Sequence, residues 1–144
     1  MKSQDSESAP SKSADDTDFS DLPLSEKMLK SLSKAGYLKP TPIQAGLIPR
    51  ALTGVDVIGQ AQTGTGKTAS FVIRILERIE LRRGPANPQA LVLVPTRELA
   101  VQVRDETVKL AHGQRFRSVA LYGGKPVKGQ SDKLGRGTEV VVGT

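Results

Sequence analysis

One segment of the 144-residue sequence combines glycines, a lysine and hydroxyl side chains at a spacing suited to holding a phosphate. It reads Ala-Gln-Thr-Gly-Thr-Gly-Lys-Thr and occupies residues 61–68. Glycines let backbone N–H groups turn inward onto phosphate oxygens, where a Cβ atom would crowd the ligand. An ammonium group can neutralise terminal phosphates, and a threonine hydroxyl can ligate Mg²⁺. The pattern therefore predicts a nucleoside-triphosphate site in which Lys67 and Thr68 serve catalysis and Thr68 is also a metal ligand.

The position of this loop supports the prediction. It follows an apolar run at residues 55–59, which is too short for a helix and is predicted to form a strand. A helix is predicted after the loop, and its N-terminus would add unpaired N–H groups and the positive end of a dipole. The general phosphate-loop pattern has Gly where this chain has Ala61. The alternative is a Gly- and Thr-rich surface turn, which the flanking strand and helix make unfavourable.

Helical spacing recurs along the chain, with signals for where helices begin and end. Gly36 is placed to end a first helix, Thr41 and Pro42 to begin a second as N-cap and first residue, and Pro49 to end or kink it. The apolar stripe of the first helix consists of Leu24, Met28, Leu29, Leu32 and Ala35. That of the helix after the loop consists of Phe71, Val72, Ile75, Leu76 and Ile79. A later helix, which ends near Gly113, has Leu99, Val103 and Leu110 on one face.

Further strands are predicted at residues 90–94, 118–122 and 139–143. Continuous apolar strands that alternate with helices are typical of a parallel sheet covered on both faces. The sequence therefore predicts a three-layer α/β fold, incomplete in this chain, and the last of these strands is expected to leave an open sheet edge.

Composition separates a polar head from a basic body. Residues 1–18 contain no aromatic or β-branched aliphatic side chain and carry a net charge of −3, so we predict a disordered tail. The whole chain carries +6, which leaves +9 on residues 19–144. A basic body suits a polyanionic partner, although charge alone favours a merely soluble basic surface equally. The sequence has no cysteine, no apolar run of membrane length and no signal core, which fits a cytoplasmic location.

With Ala at position 61, the phosphate loop resembles that of the DEAD-box ATP-dependent RNA helicases. Residues 36–44 resemble the family's Q motif, and Phe19 stands where the family has an isolated aromatic, so the motif region spans residues 19–44. Residues 95–100 resemble motif Ia, Gly123 and Gly124 resemble the GG pair, and Thr144 resembles the start of motif Ib. The resemblance covers residues 19–144 and implies the N-terminal part of the first RecA-like, P-loop domain.

The resemblance also implies roles for individual residues. ATP, with Mg²⁺, would be bound by Phe19, Lys39, Thr41, Gln44, Ala61, Gln62, Thr63, Gly64, Thr65, Gly66, Lys67 and Thr68. Within this set, the resemblance implies that the carboxamide of Gln44 pairs with the adenine edge and that Phe19 covers the adenine face. The RNA backbone would be contacted by Thr96, Arg97, Gly123, Gly124 and Thr144. Local alternatives exist: Gln44 completes a capping box with Thr41, Phe19 is a docking residue for the first helix, and Thr96 is an N-cap.

The family's Asp-Glu-Ala-Asp motif does not occur in these 144 residues, and neither does a second RecA-like lobe with its arginine finger. The resemblance implies RNA unwinding driven by ATP hydrolysis. The isolated chain, in contrast, is expected to bind ATP, and at most RNA in addition, without appreciable hydrolysis of ATP. Two alternatives remain at this point. One is a P-loop NTPase that is not a helicase, and the other is a truncated remnant or a non-catalytic nucleic-acid-binding fragment.

Overall fold

The computed structural model describes residues 17–81 and 87–144, so the predicted disordered tail lies outside it apart from Thr17 and Asp18. These residues form a short 3-10 turn at Phe19–Asp21, five α-helices and three strands. In chain order they are α1 (Glu26–Lys34), α2 (Pro42–Leu52), α3 (Lys67–Arg78), β1 (Ala90–Leu93), α4 (Arg97–Leu110), β2 (Ser118–Leu121), α5 (Val127–Gly135) and β3 (Val140–Gly143).

The three strands form one parallel sheet in the order β1-β3-β2. Val142 of β3 pairs with Val92 on one side and with Ala120 on the other. The parallel α/β prediction is therefore confirmed. The expected open edge was placed on the wrong strand, because β3 lies in the centre and is buried along its length. Within the described residues, the free edges belong to β1 and β2.

The helices bury one continuous apolar core against this sheet. Helix α4 packs on β2 and β3, and α3 packs between α2 and α4. Ile73 of α3, Val103 and Leu110 of α4 and Val140 of β3 are at most 1% exposed and belong to the same cluster. The predicted apolar stripes are confirmed, and they fix the helix that follows the glycine loop.

Local signals located most helix ends correctly. Gly36 follows α1 with a φ of 84°, and Tyr37 donates from its backbone N–H to the carbonyl oxygen of Leu32 at 2.9 Å. Because the left-handed conformation disfavours residues with a Cβ, glycine ends the helix here. Helix α2 begins after Thr41 with Pro42 in its first turn, as predicted.

Pro49 was predicted to end or kink α2; the predicted end is wrong, because α2 continues through it to Leu52, and the kink stays a prediction. Proline removes one helical hydrogen bond, which generally disfavours a helix interior. Here Ile48 and Ala51 are buried on either side of it, at 0% and 3% exposure, and α2 packs against α3. Burial of this face therefore outweighs the missing hydrogen bond.

The strand predicted at residues 55–59 is also not confirmed. This segment has no strand assignment, and Val55 and Ile58 are 57% and 98% exposed. A strand needs a neighbour for its N–H and C=O groups, and no described strand pairs with the segment. The β-branched residues supplied the propensity for a strand but could not supply its partner.

Candidate functional site

The glycine loop leads directly into helix α3. Gly66 is the N-cap of this helix with a φ of 87°, and Gly64 has a φ of 79°. Both values lie in the left-handed region that favours glycine. Lys67, the first helical residue, donates from Nζ to the carbonyl oxygen of Ala61, and Thr65 donates from Oγ1 to the carbonyl oxygen of Gln62 at 2.7 Å. The loop therefore closes on itself around its lysine.

The segment that contains Thr41 and Gln44 is hydrogen-bonded to this loop. Thr41 Oγ1 donates to the carbonyl oxygen of Thr65 at 2.7 Å, and Gln44 Nε2 donates to that of Gly66 at 3.2 Å. Gln44 Oε1 also accepts from the backbone N–H of Thr41 at 2.9 Å. Gln44 is 1% exposed and has partners on both ends of its carboxamide. The capping interpretation is supported, and the contact of Gln44 with adenine stays a prediction.

A groove of about 1090 Å³ opens beside the loop. Gly64, Lys67 and Thr68 line one side, and Val92 and Val94 line another. A Cβ atom built on Gly64 would meet nothing within 4 Å, so the loop has open space on its outer side. The groove can therefore accept a phosphate group against the loop and the first turn of α3.

The residues present also suit Mg²⁺ held jointly with phosphate oxygens. Mg²⁺ in nucleotide sites keeps several waters and takes few protein ligands. Thr68 lines the groove, so its hydroxyl is available as one such ligand. No cluster of three or more His, Asp or Glu side chains that could hold a metal ion occurs among residues 17–81 and 87–144. A metal here would therefore depend on the nucleotide.

Phe19 and Lys39 are not brought to this groove. Phe19 is 5% exposed and packs edge-on against Tyr37, with ring centroids 6.3 Å apart. Lys39 is exposed and does not line the groove. In this structure Phe19 anchors the turn before α1, in agreement with the docking alternative, and its cover over adenine stays a prediction.

The sequence analysis did not identify the pair formed by Tyr37 and Glu106. The Tyr37 hydroxyl donates to Glu106 Oε1, and Lys109 Nζ lies 5.1 Å from the centre of the tyrosine ring. Burial, and then the Glu106 carboxylate, raise the pKa of Tyr37 well above its ordinary value. Tyr37 therefore stays protonated and ties the segment after α1 to α4.

The residues predicted to contact RNA converge at the carboxyl ends of the three strands. A groove of about 480 Å³ is lined by Thr96, Arg97, Gly123 and Thr144, with Glu98 beside them. Open α/β sheets bind ligands at this end. Thr96 Oγ1 also accepts from the backbone N–H of Leu99 at 3.2 Å, so the N-cap prediction is confirmed.

Gly124 lies next to this groove, in the adjoining one, and close to the guanidinium of Arg97. It has a φ of 86°, and a Cβ atom built on it would lie 2.8 Å from Arg97 Nη1. Any larger residue would therefore strain the backbone and displace the guanidinium. The structure brings together all five residues of the predicted RNA-binding set.

Comparison with known proteins shows the family to which this sequence belongs. Residues 41–144 match the family model for the DEAD/DEAH box helicase. The chain belongs to this family. The match begins at residue 41, so the domain boundary at residue 19 stays a prediction. Membership favours the helicase interpretation over that of an unrelated P-loop NTPase.

Two relatives show how much of a DEAD-box protein the chain represents. It is 45% identical over 128 residues to the ATP-dependent RNA helicase CshA of Listeria monocytogenes, covering 89% of this chain and 24% of CshA. It matches the crystal structure of a DEAD box protein from the hyperthermophile Methanococcus jannaschii with a TM-score of 0.79 and 39% identity, covering 88% of this chain and 34% of that one. The chain thus spans about a quarter of the first relative and a third of the second.

None of the helices in the described parts of this DEAD-box chain is long and apolar enough to cross a membrane.

Gln130 of α5 supports the GG loop of this DEAD-box chain, a role that the sequence analysis did not find. Its Oε1 accepts from the backbone N–H of Tyr122 at 2.9 Å, and its Nε2 donates to the carbonyl oxygens of Tyr122 at 3.2 Å and Lys125 at 3.4 Å. One carboxamide therefore holds both ends of the loop that contains Gly123 and Gly124. A glutamine nine residues beyond the end of β2 carries no recognisable sequence signal.

We expect Gln130→Met to loosen the GG loop, because methionine keeps the length of the side chain but removes all three hydrogen bonds. Each such bond stabilises by about 0.5–1.5 kcal/mol, so amide exchange in residues 122–125 should accelerate on the order of 10-fold. Hydrogen exchange followed by NMR measures this, with the exposed neighbour Ser131→Ala as the control. Unchanged exchange in the methionine variant would show that the loop does not depend on the carboxamide.

Proposed function

We propose that this chain is the part of an ATP-dependent RNA helicase that binds ATP with Mg²⁺ and contacts the RNA backbone. The observation that carries the proposal is the pair of hydrogen bonds from Thr41 and Gln44 to the carbonyl oxygens of Thr65 and Gly66. They join the segment proposed to select adenine to the loop proposed to hold the phosphates. The relative CshA is itself named an ATP-dependent RNA helicase.

Phosphate binding would use groups that the structure places around the loop. The N-terminal N–H groups of α3 and the loop amides attract an anion. Lys67 would exchange its contact with the carbonyl oxygen of Ala61 for the terminal phosphates, so its charge would be freed only when nucleotide arrives. Bound Mg²⁺ would neutralise charge between phosphate oxygens, with the Thr68 hydroxyl as a ligand.

RNA would lie across the carboxyl ends of the strands. The guanidinium of Arg97 and the amides of Gly123 and Gly124 can bind phosphate oxygens, and so can the N-terminus of α4 after Thr96. Such contacts carry no base-sequence information. We therefore propose that this part of the protein holds RNA without selecting its sequence.

Hydrolysis of ATP requires groups beyond those that bind it. Phosphoryl transfer needs groups that position the attacking water and stabilise charge in the transition state, and an arginine finger alone contributes about 10³–10⁵ in rate. The 144 residues contain no Asp-Glu-Ala-Asp sequence. We infer that the isolated chain binds ATP without appreciable turnover, and that unwinding belongs to a longer protein.

The test is a titration of the purified chain with a fluorescent ATP analogue and Mg²⁺, followed by displacement with ATP and with GTP. We expect saturable binding that ATP displaces and GTP does not. Lys67→Ala should weaken it by at least about 10-fold through loss of a charge-assisted contact, while the exposed Lys30→Ala on α1 should not. Equal displacement by GTP would refute adenine selection. No binding by a chain with a dispersed NMR spectrum would refute the nucleotide site.

A further inference from the structure

We propose that RNA held at the carboxyl ends of the strands continues along the outer edge of β2 into a second phosphate-binding groove at the amino end of that strand. This inference rests on the RNA binding proposed above. It concerns residues that the sequence analysis assigned no role.

The second groove, here called the β2 groove, has a volume of about 620 Å³. Its floor includes Val108 and Phe116, and its rim carries the charged side chains of Arg117, Lys133 and Arg136. All three cations are exposed. The groove therefore combines a partly apolar floor with three positive charges and suits an elongated anion.

None of these cations is neutralised by a carboxylate in the described residues. Arg117 Nη1 donates to the carbonyl oxygen of Arg136, which orients the guanidinium but leaves its charge uncompensated. The nearby acid Glu139 is 6% exposed and accepts from the backbone N–H of Arg117 at 2.8 Å. Its carboxylate therefore serves the strand backbone, and the rim keeps a field that attracts phosphate.

Ser118, at the start of β2, supplies a second and independent observation. Ser118 lines the β2 groove, and its hydroxyl oxygen is buried from solvent without a hydrogen-bond partner in the described protein. A buried polar group without a partner is costly and rare. Rotation of the Ser118 side chain toward the groove would let a phosphate oxygen accept from this hydroxyl while the rim cations neutralise the phosphate charge.

Helix α5 runs along the side of β2 between the first RNA groove and the β2 groove. A groove of about 490 Å³ adjoins the first at Gly123 and Thr144 and includes Gln130 and Ser131 of α5. Lys133, further along the same helix, lines the β2 groove. Within residues 17–81 and 87–144, no strand covers the outer edge of β2. Helix α5 therefore borders both the adjoining groove and the β2 groove.

Strand length sets the size of RNA required. From Ser118 to Tyr122 the chain rises on the order of 13 Å at ~3.3 Å per residue. Stacked nucleotides advance ~3.4 Å each, so about four nucleotides separate the two sites. Short RNA should fill only the first groove, and longer RNA should reach both. RNA is favoured over an acidic peptide because the β2 groove continues the path from the first site.

The experiment compares single-stranded oligouridylates of about 3 and about 12 nucleotides, one shorter and one longer than the separation of the two sites at ~3.4 Å per nucleotide. The test variant is Lys133→Gln with Arg136→Gln, and the control is Lys27→Gln with Lys30→Gln on α1, which removes the same charge from exposed positions. We expect the test variant to bind the long RNA on the order of 10-fold more weakly. Its salt dependence should fall by a slope of ~1.4, which corresponds to two lost phosphate contacts. Binding of the short RNA should not change.

The outcomes separate this inference from the proposed function. Equal loss for both lengths, or equal loss in the α1 control, would overturn the β2 groove and leave the first RNA site standing. Competition by polyglutamate without any effect of RNA length would assign the groove to an acidic protein partner and also overturn it. Failure of the unaltered chain to bind either RNA would overturn both proposals.

Discussion

Replacing Gly66 with alanine is expected to abolish binding of the ATP analogue and to destabilise the folded chain. Two physical reasons add. The φ of 87° costs a residue with a Cβ about 1–2 kcal/mol. The added Cβ would also overlap Gln44 Nε2 and approach Thr41 Oγ1 to 3.1 Å, so the side chains that hold the loop must move. Leaving the buried carboxamide without its partner costs a further ~1–3 kcal/mol.

Gly64→Ala is the matched control for this prediction. Gly64 has a similar φ of 79°, but its Cβ would meet nothing within 4 Å. It should therefore incur the backbone strain alone. Urea denaturation of both variants measures the difference, which isolates the contribution of the bridge from Gln44 to the loop. Equal losses of stability in the two variants would show that the bridge does not stabilise the fold, and retained nucleotide binding in Gly66→Ala would refute its role in the site.

The bridge also shows what local sequence signals can and cannot reveal. The pattern of Thr41 and Gln44 predicted a capping box, and the resemblance implied an adenine contact. In the structure the Gln44 carboxamide reaches both the cap and the carbonyl oxygen of Gly66. A residue 22 positions away in the chain became a neighbour only through the packing of α2 against α3. Sequence patterns identify such groups but do not identify their partners.

Helix ends were predictable because their causes are local. Gly36, Thr41 and Thr96 act through their own backbone conformation or through groups three or four residues away. The conformation of residues 55–59 was not predictable in this way, because a strand depends on a neighbouring strand, which the periodicity of the sequence cannot locate. Helix α5 was missed for another reason: none of its residues is buried, so it presents no apolar stripe.

In the candidate site, too, the sequence identified some residues and missed others. Glycines 64, 66 and 124 were identified from their motifs, and each has the positive φ that explains why glycine stands there. The contacts that hold the motifs in place were not identified, namely Gln130 on the GG loop and Glu106 on Tyr37. Both are polar side chains on helices, where sequence alone indicates a solvated position.

The core offers the second large effect. We expect Ile73→Ala to lower the free energy of unfolding by about 2–5 kcal/mol, because Ile73 is 0% exposed and its removal leaves a cavity in the core cluster formed with α2 and α4. Domains of this kind have only ~5–15 kcal/mol in total, so the variant should lose much of its stability. Ile73→Val should cost only about 0.5–1.5 kcal/mol at the same position.

Ile58→Ala is the matched control for this second prediction, since it removes the same atoms from a side chain that is 98% exposed. Its effect should stay within about 0.5 kcal/mol, as for other surface substitutions. Urea denaturation of the three variants measures these differences. A loss at Ile58 as large as that at Ile73 would contradict the exposed placement of residues 55–59. It would mean that this β-branched segment, predicted from the sequence as a strand, is packed in solution against a partner that the described residues do not provide.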